Sequence, residues 1–178
     1  MAVLPILIAP HPTLKAKAKP VKEVTDAVRA LLDDMLETMY DAPGIGLAAN
    51  QIGSLERVLV MDCGAREEDE ETRPMKIINP VITGVSEELS SYEEGCLSIP
   101  EQYADVERPA AVQVKYLDEN GKTQERVFAG LEATCVQHEI DHLDGILFVD
   151  HLSNLKRNML MKKLKKLIKE REDEAANG

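Results

Sequence analysis

The chain has 178 residues, 44% of them hydrophobic and 30% charged, with no Trp and two Phe. This is the size and composition of one soluble globular domain whose core rests on Leu, Ile, Val, Met and Ala and needs no disulfides. Net charge is −11, but eight Lys or Arg lie between 150 and 178, so the body is acidic and the tail basic. An acidic body opposes loose nucleic-acid binding, and no specific DNA binding is expected. Three cysteines scattered through a chain of this size argue for a reducing compartment, the cytoplasm. The start, Met-Ala-Val-Leu-Pro-Ile-Leu-Ile-Ala-Pro, lacks the basic region and cleavage pattern of an export signal, and no apolar run reaches membrane-spanning length.

The first helix is predicted from Thr25 as N-cap, with Val28, Leu31, Leu32, Met35, Leu36 and Met39 on one face, ending near Asp41. A β-rich middle follows: 57–61, 76–78, 111–117 and 123–128, the last two joined by Asp118-Glu119-Asn120-Gly121 as a hairpin. The acidic run at 66–73 reads as a solvated loop. A second helix is expected from Leu131 to Asp144, with Gly145 in the left-handed position after it. A third starts after Ser153, with Leu155, Met159, Leu160, Leu164, Leu167 and Ile168 as its apolar stripe and lysines outside it. It is taken to 171 as a basic amphipathic helix, with 172–178 frayed. The fold class expected is α+β, one domain over 1–178, with mostly antiparallel strands packed around a central helix between N- and C-terminal helices.

The chemistry concentrates in Gln137-His138-Glu139-Ile140-Asp141-His142. Two His four apart put both imidazoles on one helix face, ready for one metal ion, with Glu139 as proton carrier. Leu131, Cys135, His138 and His142 form one stripe and Val136, Ile140 and Leu143 another, so the helix is buried on much of its surface. Buried imidazoles need acceptors, and Asp141 or Asp144 are the near candidates. The bland alternative is a pair of solvent-facing histidines. His11 and His151 read as structural or exposed. For a third ligand, Cys135 shares the helix face, and Cys96 sits in a Gly-flanked loop able to approach closely. Residue chemistry leaves that choice open. Cys63 reads as a bystander. Gly44-Ile45-Gly46-Leu47-Ala48-Ala49-Asn50-Gln51 reads as a small-residue turn, since it does not follow a strand as a dinucleotide fingerprint would.

Together, Gly-Ile-Gly-Leu-Ala-Ala-x-Gln, Glu-Gly-Cys-Leu-Ser and His-Glu-x-Asp-His-Leu-x-Gly, in this order, resemble the three signature motifs of the peptide deformylase family, bacterial type with a long C-terminal helix. The resemblance implies an enzyme that removes the formyl group from N-terminal formyl-methionine of nascent polypeptides, releasing formate. It implies Cys96, His138 and His142 as ligands of one divalent metal ion, Fe(II) in the native state and Zn or Ni in preparations. Metal-bound hydroxide would attack the formyl carbon, with the oxyanion held by the metal, Gln51 and the Leu97 N–H, and with Glu139 as general acid/base. Gly44, Ile45, Gly46, Glu94, Gly95, Leu131 and Cys135 would form the substrate-binding walls. The basic tail becomes a candidate for docking on the ribosome. Tyr103, Asp105 and the acidic run depart from the family pattern and bear on preference beyond formyl-methionine. A metalloprotease, whose third ligand usually follows the helix, and a catalytically silent metal-binding or ribosome-associated module are the alternatives.

Overall fold

The computed structural model describes residues 2–65 and 71–177. Its elements in order are helix α1 (Asp26–Asp41), strands β1 (Gly46–Ala48), β2 (Val58–Met61), β3 (Met75–Val85), β4 (Leu89–Cys96), β5 (Ile99–Pro109), β6 (Ala111–Leu117) and β7 (Thr123–Ala129), helix α2 (Gly130–Leu143) and helix α3 (Asn154–Asn177). Five strands form one antiparallel sheet in the order β1-β2-β3-β6-β7, and β4 pairs with β5 in a separate hairpin. This is the α+β architecture expected.

Helix α1 begins where its cap dictates: Thr25 Oγ1 accepts from the Val28 N–H. Its stripe of Val28, Leu32, Met35 and Met39 packs on Val58, Val60 and Ile78. The opposite face of the same sheet carries Leu59, Met61, Ile77, Val112, Val114 and Phe128, and meets Val136, Ile140 and Leu143 of α2. Strand β2 is therefore buried at all four positions, alternating toward one helix and then the other. That two-sided burial explains its continuous apolar run. A third apolar cluster joins Ile99 and Val106 of β5 to Phe148, Val149, Leu160 and Leu164, seating α3 beside the hairpin.

The β6–β7 hairpin forms as expected. Its connection spans 118–122, tied by Asp118 Oδ1, which accepts from the Asn120 and Lys122 N–H groups, with Gly121 at φ 76. Strand β3 runs past Ile78 to Val85 through a register shift at Asn79, whose side chain exchanges two hydrogen bonds with the Val21 backbone.

Three expectations are corrected. The segment after Ile45 contains strand β1 and a short helical turn, Ala49–Ile52, where a simple turn was expected. Helix α3 continues to Asn177, because 172–177 contain no breaker and Lys166/Glu170 and Lys169/Asp173 stand four residues apart. Leu155 and Met159 are exposed, so only the later part of the expected stripe packs. Residues 66–70 of the acidic run, and Gly178, lie outside the described residues.

Asp150 ties the chain start to the segment before α3. It accepts from Lys15 Nζ and the Leu147 N–H and faces Arg157. Burial alone would raise its carboxyl, but the Lys15 and Leu147 donors outweigh this and hold it below its ordinary value. A depressed carboxyl stabilises the fold above the unfolded-chain pKa, and the contribution is lost as pH falls through the folded one. Asp150→Asn should therefore lower unfolding free energy by about 1 kcal/mol at neutral pH. In urea titrations the gap between parent and variant should close as pH drops below about 4.

Candidate functional site

Helix α2 presents His138 and His142 one turn apart, and both are buried. Cys96 comes from the hairpin: it pairs with Ile99 across the two-residue turn Leu97-Ser98, which leaves its side chain facing α2. Cys96 Sγ lies 3.2 Å from His142 Nε2, and the Nε2 atoms of His138 and His142 are 3.2 Å apart. One ligand atom from each of the three residues falls within 4.8 Å of the others.

The orientation of His138 is set by Glu94 on β4. Glu94 Oε1 accepts from His138 Nδ1 at 2.8 Å, and Arg108 of β5 grips the same carboxylate through Nε at 2.7 Å and Nη2 at 2.9 Å. Burial would raise Glu94, but the donors from His138 and Arg108 hold it low and ionised. Glu94 therefore fixes a proton on His138 Nδ1 and turns Nε2 toward His142. Phe148 stacks beside the His138 ring with centroids 6.2 Å apart. For His142, burial drives the pKa well down, so this imidazole is neutral. Its Nδ1 has no hydrogen-bond partner among the described residues, so no protein group competes for its tautomer.

Two imidazole nitrogens and a sulfur converge here at distances that need a proton or a metal cation between them. The donor set, two imidazole nitrogens and one cysteine sulfur with a fixed second partner on His138, fits one divalent ion with a further position open. His138 carries the same message. Burial lowers its pKa, but Glu139, Cys96 and Glu94 around it raise it further, leaving a pocket with an excess of negative charge.

Cys135, the rival ligand, is committed elsewhere: its thiol donates to the Ile45 carbonyl at 3.6 Å. The adjacent Cys63 thiol and burial push it well up, so it stays protonated. Cys63 is buried against Cys135 and lies outside both the donor cluster and the cleft lining. The expected acceptors also change. Asp141 accepts from Arg108 and faces His151, and Asp144 accepts from Arg57, so neither touches a metal-facing imidazole. Helix geometry explains this, because both acids point away from the face that carries the histidines.

Glu139 is buried, and its Oε1 has no hydrogen-bond partner among the described residues. Burial first, then Glu94 and Asp141, push its pKa up to about 7, against the opposing pull of His138 and Arg108. Gly46 makes room for it: a Cβ there would stand 2.4 Å from Glu139 Oε2 and 2.9 Å from Cys135 Sγ. Gln51 is aimed by its own backbone turn, with Oε1 accepting from the Ala48 N–H at 2.9 Å. Its Nε2 faces Ser98 Oγ at 3.1 Å and Cys96 Sγ at 3.5 Å.

These groups line one cleft of about 700 Å³, with Gly44, Ile45, Leu97, Leu131 and Cys135 among its walls. Every site residue expected from the sequence borders this cleft or its donor cluster. Arg108 and Ser98 were missed. Arg108 lies two residues after buried Val106 on β5, and that parity was the signal available.

A helix with two metal-facing imidazoles and a buried carboxylate, completed by a thiol from a neighbouring hairpin, is the arrangement of a metal-dependent hydrolase. Residues 3–158 match the family described as polypeptide deformylase. The peptide deformylases of Mesorhizobium japonicum and Bradyrhizobium diazoefficiens are 58% and 55% identical to this chain, cover 96% and 97% of it, and are themselves covered over 96% and 100%. The crystal structure of a peptide deformylase from Legionella pneumophila superposes with a TM-score of 0.88 at 44% identity, covering 96% of this chain and 98% of that one. That of Ehrlichia chaffeensis in complex with actinonin gives 0.88 at 42%, covering 93% and 98%. The chain belongs to the polypeptide deformylase family and is an enzyme. Among the described residues no helix is long and apolar enough to cross a membrane.

Removing Arg108 would strand the buried carboxylate of Glu94. Arg108→Met should cost about 3–5 kcal/mol in denaturant unfolding. A loss below about 1 kcal/mol would mean that Glu94 finds another partner.

Proposed function

We propose that the chain removes the formyl group from the N-terminal formyl-methionine of newly made polypeptides, releasing formate and a free methionyl terminus. The observation that carries this reading is the convergence of Cys96, His138 and His142 within 4.8 Å, beside a cleft lined by Cys96, His138, Glu139 and Gln51. Cys96, His138 and His142 hold one divalent ion, Fe(II) in the native enzyme, with zinc or nickel able to take its place. When bound, that ion supplies Lewis acidity and brings the pKa of a water toward neutrality.

The residues divide the remaining work. Ile45, Leu131 and Cys135 receive the methionine side chain, and the small residues Gly44, Gly46 and Gly95 let the peptide backbone come close. Gln51 Nε2 and the Leu97 N–H donate to the formyl oxygen as water adds to the formyl carbon and negative charge develops there. Glu139 takes the proton released by the water and delivers it to the amine nitrogen as the carbon–nitrogen bond breaks. A carboxyl poised near neutrality suits both halves of that transfer. Glu94, held by Arg108, keeps the His138 ring in the ligating orientation.

The reading places the enzyme in the cytoplasm as a single catalytic unit. Its basic α3, with Leu155 and Met159 exposed, supports docking near the site where nascent chains emerge. A metalloprotease is disfavoured because the third donor precedes the helix. A silent module is disfavoured because Glu139 and Gln51 are both in place.

The test is formate release from a short formyl-Met peptide by Fe(II)-loaded protein prepared without oxygen. Chelation should abolish release and Fe(II) should restore it. Glu139→Ala should retain a full equivalent of metal while losing nearly all turnover. Metal loss in that variant would make Glu139 a ligand or a prop. Gln51→Ala should lower kcat by roughly 10²–10³. Near-normal turnover would remove its role as a donor to the oxyanion.

A further inference from the structure

The cleft is larger than a formyl-methionyl group needs, since about 700 Å³ is room for a drug-sized ligand. One rim of the cleft lies where β5 faces the far end of α3. There Arg171 lines the cleft, and it is the only Arg or Lys among the described residues that do so. Its Nη2 stands 3.5 Å from Glu101 Oε2, with both side chains more than half exposed. Glu101 holds its place at φ 62, a left-handed conformation uncommon for a residue with a side chain. Tyr103 stands beside it on the same rim, its ring against Gly95, where a Cβ would lie 2.5 Å from Cε1.

From these positions we propose that Arg171 is a specificity residue of the tail helix, which receives the peptide downstream of the formyl-methionine and favours an acidic side chain there. The inference rests on the deformylase reading of the cleft. An exposed ion pair at 3.5 Å contributes little to stability, so exchanging Glu101 for a substrate carboxylate costs the protein little. The planar guanidinium is suited to bidentate capture of such a carboxylate. Glu101 stays at the rim as the counter-charge when the downstream residue is neutral, and repels an acidic residue that misses Arg171. The tail helix is then part of the substrate site as well as a prop for the hairpin.

The experiment compares kcat/KM for formyl-Met-Ala-Xaa-Ala-amide peptides with Xaa as Asp or Lys, and for the same pair with the charge directly after methionine. The enzymes are the Fe(II)-loaded parent, Arg171→Glu, Arg171→Gln and Lys165→Glu, the last an exposed charge reversal on the same helix that does not line the cleft. At low salt the Asp-to-Lys ratio should fall about fivefold in Arg171→Glu at one of the two positions, mainly through KM. Arg171→Gln should fall between, and the difference should fade at high salt. Lys165→Glu should keep the parent ratio. An unchanged ratio in Arg171→Glu overturns the proposal, and so does an equal shift in Lys165→Glu, which would mark a general field effect. Circular dichroism shows whether each variant keeps its helix content. If the parent releases no formate from any peptide, the deformylase reading fails first and this inference falls with it, a result distinct from formate release without charge selectivity.

Discussion

Glu94 is a buried carboxylate that accepts from three donors: Arg108 twice and His138 once. Much of the site depends on that arrangement. A lone carboxylate in this position would be protonated, and His138 would then lose the acceptor that fixes its tautomer. With Arg108 in place the charge is balanced, the acceptor is rigid, and Nε2 of His138 points toward Cys96 and His142. The interaction also joins two separate parts of the fold, because Glu94 and Arg108 belong to the β4–β5 hairpin and His138 to α2. Bringing Cys96 to the histidines and orienting His138 are thus one event, the docking of the hairpin on the helix.

The second constraint is burial. Helix α2 is covered by the five-stranded sheet on one side and by the hairpin with Phe148 on the other. That environment lifts Glu139 to about 7 and drives His142 down, leaving one carboxyl poised near neutrality beside one neutral imidazole. It also separates the two cysteines by chemistry. Cys135, against Cys63 and donating to the Ile45 carbonyl, stays a thiol, whereas Cys96 Sγ accepts from Gln51 Nε2 and the Ser98 N–H.

Much of this was legible in the sequence where hydrophobic period and local chemistry agree. Thr25 announced α1, the spacing around Asn120-Gly121 announced β6 and β7, and the histidine spacing announced the shared imidazole face of α2. The β4–β5 hairpin was hidden for a physical reason. Its inward positions include Glu94, Gln102 and Arg108, polar residues recruited to the site, so no apolar alternation marks it. The same effect hid the partner of His138, which lies 44 residues away in sequence and is reached only by strand pairing. Nearby Asp141 and Asp144 were the natural guesses, but side-chain direction on the helix turns them to Arg108 and Arg57. The choice between Cys96 and Cys135 was likewise beyond spacing, and was reached first by resemblance and then by the hydrogen bonds each sulfur makes.

The proposed reaction depends on one divalent ion held by a single sulfur and two nitrogens. The most direct measurement is X-ray absorption at the metal edge, with metal stoichiometry, on protein loaded with zinc. The account requires one ion per chain, with one sulfur at about 2.3 Å and two imidazole nitrogens at about 2.0–2.1 Å. Two sulfurs in the shell would bring Cys135 into the site, and a shell without sulfur would remove Cys96; either contradicts the account.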